Sequence, residues 1–209
     1  MRMSKASFGS GMVARSLPLA LGFLLLAAAL AGCAMASDGT VSAYVKDTAS
    51  TDFREVHLVV TGVSIHQSSD GNGTAGWMQV FSGAGTDVDL MNASGAKAAF
   101  LGESGLPAGK YQQVRLTASS AYGIGMDGAR VAIALPAKEL KVVKGFKVEA
   151  GKETQLVLDI DLEKSLKEGK DGWELKPVIG KLYSALKEKQ AKPAAGSVAA
   201  VDLGDDAAA

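Results

Sequence analysis

From Thr40 onward, apolar and polar residues alternate with a period of two, and glycine, proline or aspartate interrupts the alternation at short intervals. Residues 40–46 set Val41, Ala43 and Val45 on one face and Ser42, Tyr44 and Lys46 on the other, the pattern of a half-buried strand. Residues 55–66 place Val56, Leu58 and Val60 on one face, then resume with Val63 and Ile65 one residue out of phase. A one-residue slip sends side chains to the wrong face, so a β-bulge or bend is predicted at Gly62. Further strands are predicted over 77–81, 86–91, 111–119, 129–135, 145–149, 154–162 and 173–179. Pro107-Ala108-Gly109, Asp127-Gly128 and Ala150-Gly151 supply turn chemistry between them. The glycine-rich stretch 67–76 reads as a loop, and 96–101 fits a helical turn or a short strand equally well. Many short strands without alternating helices predict an all-β chain, an antiparallel β-sandwich of immunoglobulin-like or prealbumin-like type.

Both ends of the chain depart from this pattern. Residues 181–190 carry Leu182 and Leu186 four apart among lysine and glutamate, which predicts a short surface helix. Residues 191–209 are dominated by alanine, and the few apolar side chains there (Val198, Val201, Leu203) predict a disordered tail. At the other end, Arg2, Lys5 and Arg15 precede the apolar run 17–31, which ends in Leu30-Ala31-Gly32-Cys33. A run of 15 residues is short for a membrane span, which needs about 20, and small residues of cleavage-site type follow it.

The tetrapeptide ending at Cys33 resembles the bacterial lipobox, in which the cysteine thiol receives a diacylglyceryl group before the signal peptide is cut off. That resemblance divides the chain into a removed signal peptide (1–32), a lipid anchor and linker (33–38), the β-sandwich (39–180) and the C-terminal segment (181–209). It also accounts for Cys33 being the one cysteine of the chain, which excludes an intramolecular disulfide. Two acyl chains hold a protein stably where one does not, so the membrane is an expected partner through covalent lipid. Ala34 stands where an aspartate would retain such a lipoprotein at the inner membrane, which implies the outer membrane in a Gram-negative host.

Removing residues 1–32 leaves 19 basic against 22 acidic residues, a net charge near −3. No basic cluster interleaved with aromatics is present, which argues against nucleic acid as a partner. Several segments follow one another in order: 39–47, 56–66, Gly76-Trp77, Val88-Asp89-Leu90, 106–111 running into Val114-Arg115-Leu116, 146–151, 156–164 and 175–179. Together they resemble the prokaryotic lipoprotein domain family known as domain of unknown function 4382. The resemblance implies an extracytoplasmic β-sandwich with no established activity, and it carries no functional residues across. One departure lies at Lys46-Asp47-Thr48-Ala49, where family members carry a proline.

Candidate chemistry is sparse. Asp159, Asp161 and Glu163 alternate with Leu158, Ile160 and Leu162, so on a strand the carboxylates share one face about 7 Å apart. Asp87 and Asp89 repeat the pattern, and Asp47 and Asp52 flank a loop. Ca²⁺ takes several oxygen ligands at about 2.3–2.6 Å, so these residues form the candidate metal set, with a solvated strand face as the plainer account. His57 and His66 lack zinc-pair spacing and read as surface residues. No Gly-x-Ser-x-Gly or Walker-type loop occurs, so the chain is not expected to be an enzyme. Trp77 and Tyr122 are the aromatic candidates for ligand binding, core packing being the alternative for tryptophan. The expected function is therefore a lipid-anchored, non-enzymatic envelope module for a protein or glycan ligand. A calcium-stabilised structural domain is the alternative, and a hydrolase of unfamiliar type stands behind both.

Overall fold

The computed structural model describes residues 38–48, 52–67, 76–189, 191, 193–201 and 203. Cys33, the signal segment and most of the 67–76 loop lie outside them. Twelve strands follow in chain order: β1 (Asp38–Thr48), β2 (Glu55–Gln67), β3 (Trp77–Asp89), β4 (Lys97–Pro107), β5 (Gly109–Ile124), β6 (Arg130–Ala134), β7 (Glu139–Val148), β8 (Glu153–Asp161), β9 (Leu166–Gly169), β10 (Gly172–Leu175), β11 (Ile179–Lys187) and β12 (Val198–Ala200). A single turn of helix, α1 (Leu162–Ser165), links β8 to β9.

The strands form two sheets packed as a sandwich. One has five strands in the order β11-β8-β1-β4-β12, and the other has seven, β3-β2-β5-β6-β10-β9 with β7 also paired to β5. Between them lies the core, where Val41, Val45, Leu58, Ile65, Leu101, Leu116, Leu156, Leu158 and Ile160 are completely buried. The period-two positions of the sequence supply these residues, and burying each large aliphatic side chain stabilises the fold by about 1.5–3 kcal/mol. Most neighbours are antiparallel as expected, but β1 runs parallel to β8, and β10 parallel to β6.

The predicted bulge is present: the register of β2 shifts between Val60 and Gly62 against both β3 and β5. The segment 96–101 resolves as strand, and the two short strands expected over 77–91 are one continuous β3. At the β4–β5 corner the Tyr111 hydroxyl donates to the Pro107 carbonyl at 2.8 Å, and the ring stacks on Phe146. Burial raises the pKa of that phenol. The β5–β6 hairpin closes through Gly128, whose φ of +84° only glycine adopts without strain.

The C-terminal expectations are corrected. Residues 181–187 belong to β11, not to a helix, because a spacing of four is also twice the strand period and antiparallel pairing with β8 decides between them. The tail is not disordered where it is described. β12 adds to the free edge of β4 through Val198↔Ala99, Ala199↔Ala98 and Ala200↔Lys97. Since β11 and β12 occupy opposite edges, the chain between them crosses the outer face of the five-stranded sheet. There Val201, with Ala199 and Leu203, packs onto Tyr44, Ala98, Phe100, Val157 and Tyr183, a second apolar cluster outside the main core. Few apolar side chains suffice to order the segment because the row of Tyr183, Val157, Tyr44 and Phe100 already waits for them.

Candidate functional site

Among the described residues no further layer lies on the outer face of the seven-stranded sheet, and charged side chains gather towards its two ends. One end lies where β2 begins, opposite the start of β1. Alternation on β2 puts Glu55 and His57 on the outer face, and the register sets His57 opposite both Asp89 and Tyr122. The His57 and Tyr122 rings stack at 4.4 Å with 6° between their planes. Arg130, arriving from β6 on the other side of β5, lays its guanidinium 3.7 Å from the centre of the Tyr122 ring. Tyr122 is thus held between a histidine and an arginine, an arrangement favoured by ring stacking and cation–π attraction.

Carboxylates lock this stack. The Tyr122 hydroxyl donates to Asp87 Oδ2 at 2.6 Å, and Asp87 Oδ1 lies 2.9 Å from His57 Nδ1. On the far side of the imidazole, Glu55 Oε2 lies 3.2 Å from Nε2, while Arg54 Nε donates to Glu55 Oε1 at 3.1 Å. The bond to Asp87 pushes the Tyr122 phenol above its ordinary pKa. Glu55 is held below the ordinary carboxylate range, first by its hydrogen bond with His57. His57, expected as a plain surface residue, has a side chain only 17 % exposed because the stack covers it.

The other end carries Trp77, 37 % exposed on β3. The Arg115 guanidinium lies 3.9 Å from the centre of the indole, Lys141 Nζ 5.7 Å from it, and the His66 ring meets it edge-on at 5.2 Å. Glu139 Oε1 stands 2.8 Å from Arg115 Nε but off the N–H direction, which makes the contact an ion pair and not a directed hydrogen bond.

The acidic candidates do not converge. Asp87 and Asp89 lie on β3 of the seven-stranded sheet, Asp159 and Asp161 on β8 of the other. Asp89 accepts from the Met91 amide at 3.1 Å. Asp161 caps α1 by accepting from the Lys164 amide, and Lys164 Nζ, 2.5 Å away, lowers its pKa. Asp47 is buried and accepts from the Leu162 amide. Asp159 is not on a solvated face: it is 7 % exposed, with Lys46 Nζ at 3.7 Å on one side and Lys181 in register on the other. Every position of β8 before Asp161 is buried: on the face that alternation assigned to water, the C-terminal segment packs over Val157, and Lys46 and Lys181 flank Asp159. Among the described residues no group of three metal-ligating side chains assembles, and no helix is long and apolar enough to cross a membrane.

Sequence reasoning named Trp77, Tyr122, Asp87 and Asp89 but left out Glu55, Arg130, Arg115 and Lys141. Same-face parity of Glu55 and His57 was a usable signal. Nothing local joins them to Asp87 or Tyr122, which only strand register brings near.

A family model described as "Domain of unknown function (DUF4382)" matches residues 38–177, so β11, the crossing segment and β12 lie beyond the match. Comparison with curated proteins and with solved structures found no significant match. With two thirds of its length matched, and that stretch holding both polar ends of the open sheet, this chain belongs to the DUF4382 family.

Proposed function

We propose that the protein is a lipid-anchored component of the bacterial cell envelope, tethered through acylated Cys33, whose β-sandwich is a non-enzymatic binding module for a protein or glycan ligand. The observation that carries the binding role is the Arg130–Tyr122–His57 stack, cross-braced by Asp87 and Glu55. Its rings and charges are fixed before any ligand arrives, so little side-chain entropy is lost on contact. The stack sits on an open face at the end of the sandwich away from the start of β1, where an anchored domain presents itself outward. Both ring nitrogens of His57 face carboxylates, and the Tyr122 hydroxyl is already committed to Asp87, an arrangement better suited to holding a surface than to activating a nucleophile.

The test begins with cross-linking in native envelopes and continues with titration of the purified protein against what is recovered and against a glycan panel. Arg130→Ala and Tyr122→Ala are expected to weaken binding at least tenfold while thermal unfolding stays cooperative. Binding indifferent to both variants, or reproducible hydrolysis by the purified protein, overturns the reading. The anchor has its own test: Cys33→Ser is expected to abolish lipid labelling and membrane retention, and retention without label counts against it.

A further inference from the structure

The ladder between β5 and β7 sets like charges against one another twice. Lys110 faces Lys147, and Arg115 faces Lys141. Like charges directly opposite on a sheet destabilise it, so a fold that repeats the arrangement gains from an anion laid across it. The pairs share the outer face of the seven-stranded sheet, since the residues beside them, Tyr111, Val114, Leu140, Phe146 and Val148, point into the core. Between Lys110 and Lys147 lies a depression of about 300 Å³. Between the two cationic pairs, in the row formed by Gln113, His66 and Trp77, stands Val143, 76 % exposed. Among the described residues the strip thus carries four cations, a half-exposed tryptophan and an exposed valine against one carboxylate, Glu139, which is occupied with Arg115.

Its position in the fold indicates the partner. β1 begins beside the end of β7: the Gly39 backbone approaches so closely that a Cβ there would meet the Glu149 carbonyl at 2.3 Å and Val148 at 2.6 Å. Four residues lie between Cys33 and Asp38, five steps along the chain with a reach of no more than about 18 Å. The geometry points to this strip as a second membrane contact, in which Lys110, Lys147, Arg115 and Lys141 engage the phosphates of anionic lipid headgroups while Trp77 and Val143 enter the interface. Tryptophan with cations is the combination that suits the boundary between water and lipid. The inference rests on the reading of Cys33 as the anchor, which brings this end of the domain to the bilayer; the contact would fix the domain's orientation and leave the Tyr122 end outward.

The test uses the full chain in vesicles of phosphatidylcholine alone or in equal mixture with phosphatidylglycerol, with brominated acyl chains quenching tryptophan emission. Phosphatidylglycerol is expected to increase quenching and shift emission to the blue. Trp77→Phe, which keeps Trp173, should abolish that difference. Lys110→Glu with Lys147→Glu should weaken the phosphatidylglycerol-dependent contact by on the order of thirtyfold. If that pair fails to fold, Lys110→Gln with Lys147→Gln and a salt titration of the unaltered protein read the same contrast. Quenching that ignores phosphatidylglycerol, or survives the lysine substitutions, overturns the inference. So does a Trp77 shift with soluble polyphosphate and none with vesicles. A lipid-labelled protein without the phosphatidylglycerol effect fails this inference alone, whereas an unlabelled one that keeps the effect fails only the anchor.

Discussion

The two outer faces of the sandwich are built from similar strands and end up in opposite conditions. On the five-stranded sheet, register aligns Tyr183, Val157, Tyr44 and Phe100 in one row, flanked by a row holding Lys181, Asp159 and Lys46. The C-terminal segment closes over it, leaving Tyr44 and Phe100 about 5 % exposed and pushing the Tyr44 phenol above its ordinary pKa, chiefly by burial. On the seven-stranded sheet Trp77 and the Tyr122 stack are flanked only by side chains of their own sheet, and Val143 stays 76 % exposed. A strand's polar face is therefore wet or dry according to what the rest of the chain lays over it, and the strand's own alternation leaves that choice open.

Substitutions that act on one face and not the other test the contrast. Phe100→Ala is expected to cost about 3–5 kcal/mol in urea unfolding, the usual range for deleting a buried ring. Val143→Ala should stay within about 0.5 kcal/mol, as surface changes do. Equal effects from the two would mean that the cover does not form in solution. Val201→Ala removes the most buried side chain of the cover and should cost about 1.5 kcal/mol, read from the same denaturant curves. On the open face, Tyr122→Phe deletes only the bond to Asp87 and should cost about 1 kcal/mol.

Acid sensitivity separates the faces more finely. Glu55 is held below its ordinary pKa of about 4.3. Its contribution is present above that pH and is lost as the pH falls through the lowered value. Glu55→Gln should therefore lower the melting temperature at neutral pH, converge with the unaltered protein in acid, and so flatten the acid limb of the profile; an unaltered acid limb would remove His57 and Glu55 from the account of the stack. Smallest of all is the expected response to calcium. Asp159 lies between two lysines and Asp161 is engaged by Lys164, so EDTA and millimolar Ca²⁺ should give the same melting temperature. A rise with calcium would show that carboxylates converge after all.

The strands of the open sheet were legible because one side of each meets water: β2 with its bulge at Gly62 follows directly from Val56, Leu58, Val60, Val63 and Ile65. Strand β8 was located correctly, yet the burial of Val157 and Asp159 on its outward side was not visible, since Val201 and Leu203 reach Val157 from more than forty residues downstream and Lys46 and Lys181 reach Asp159 from neighbouring strands. For β11, Leu182 and Leu186 fit either period, and only pairing with β8 distinguishes them. At the site, Trp77 was visible as an aromatic residue in a predicted strand, and Tyr122 as one just past the predicted end of another, which runs on to Ile124. Their partners Arg130 and Arg115 were not, because a cation–π contact across strands leaves no trace in local sequence.

The place of β1 has a consequence for how the molecule comes to be folded. The first strand of the domain is an interior strand of its sheet, and its parallel neighbour β8 pairs Thr40 with Glu153. Chain closure over so long a separation is entropically costly and gains nothing until both strands are present, a topology associated with folding in milliseconds to seconds. A chain emerging N-terminus first must carry β1 unpaired on the β8 side until nearly the whole domain has followed. Native order then arrives late and all at once, with the segment that covers the outer face last in line.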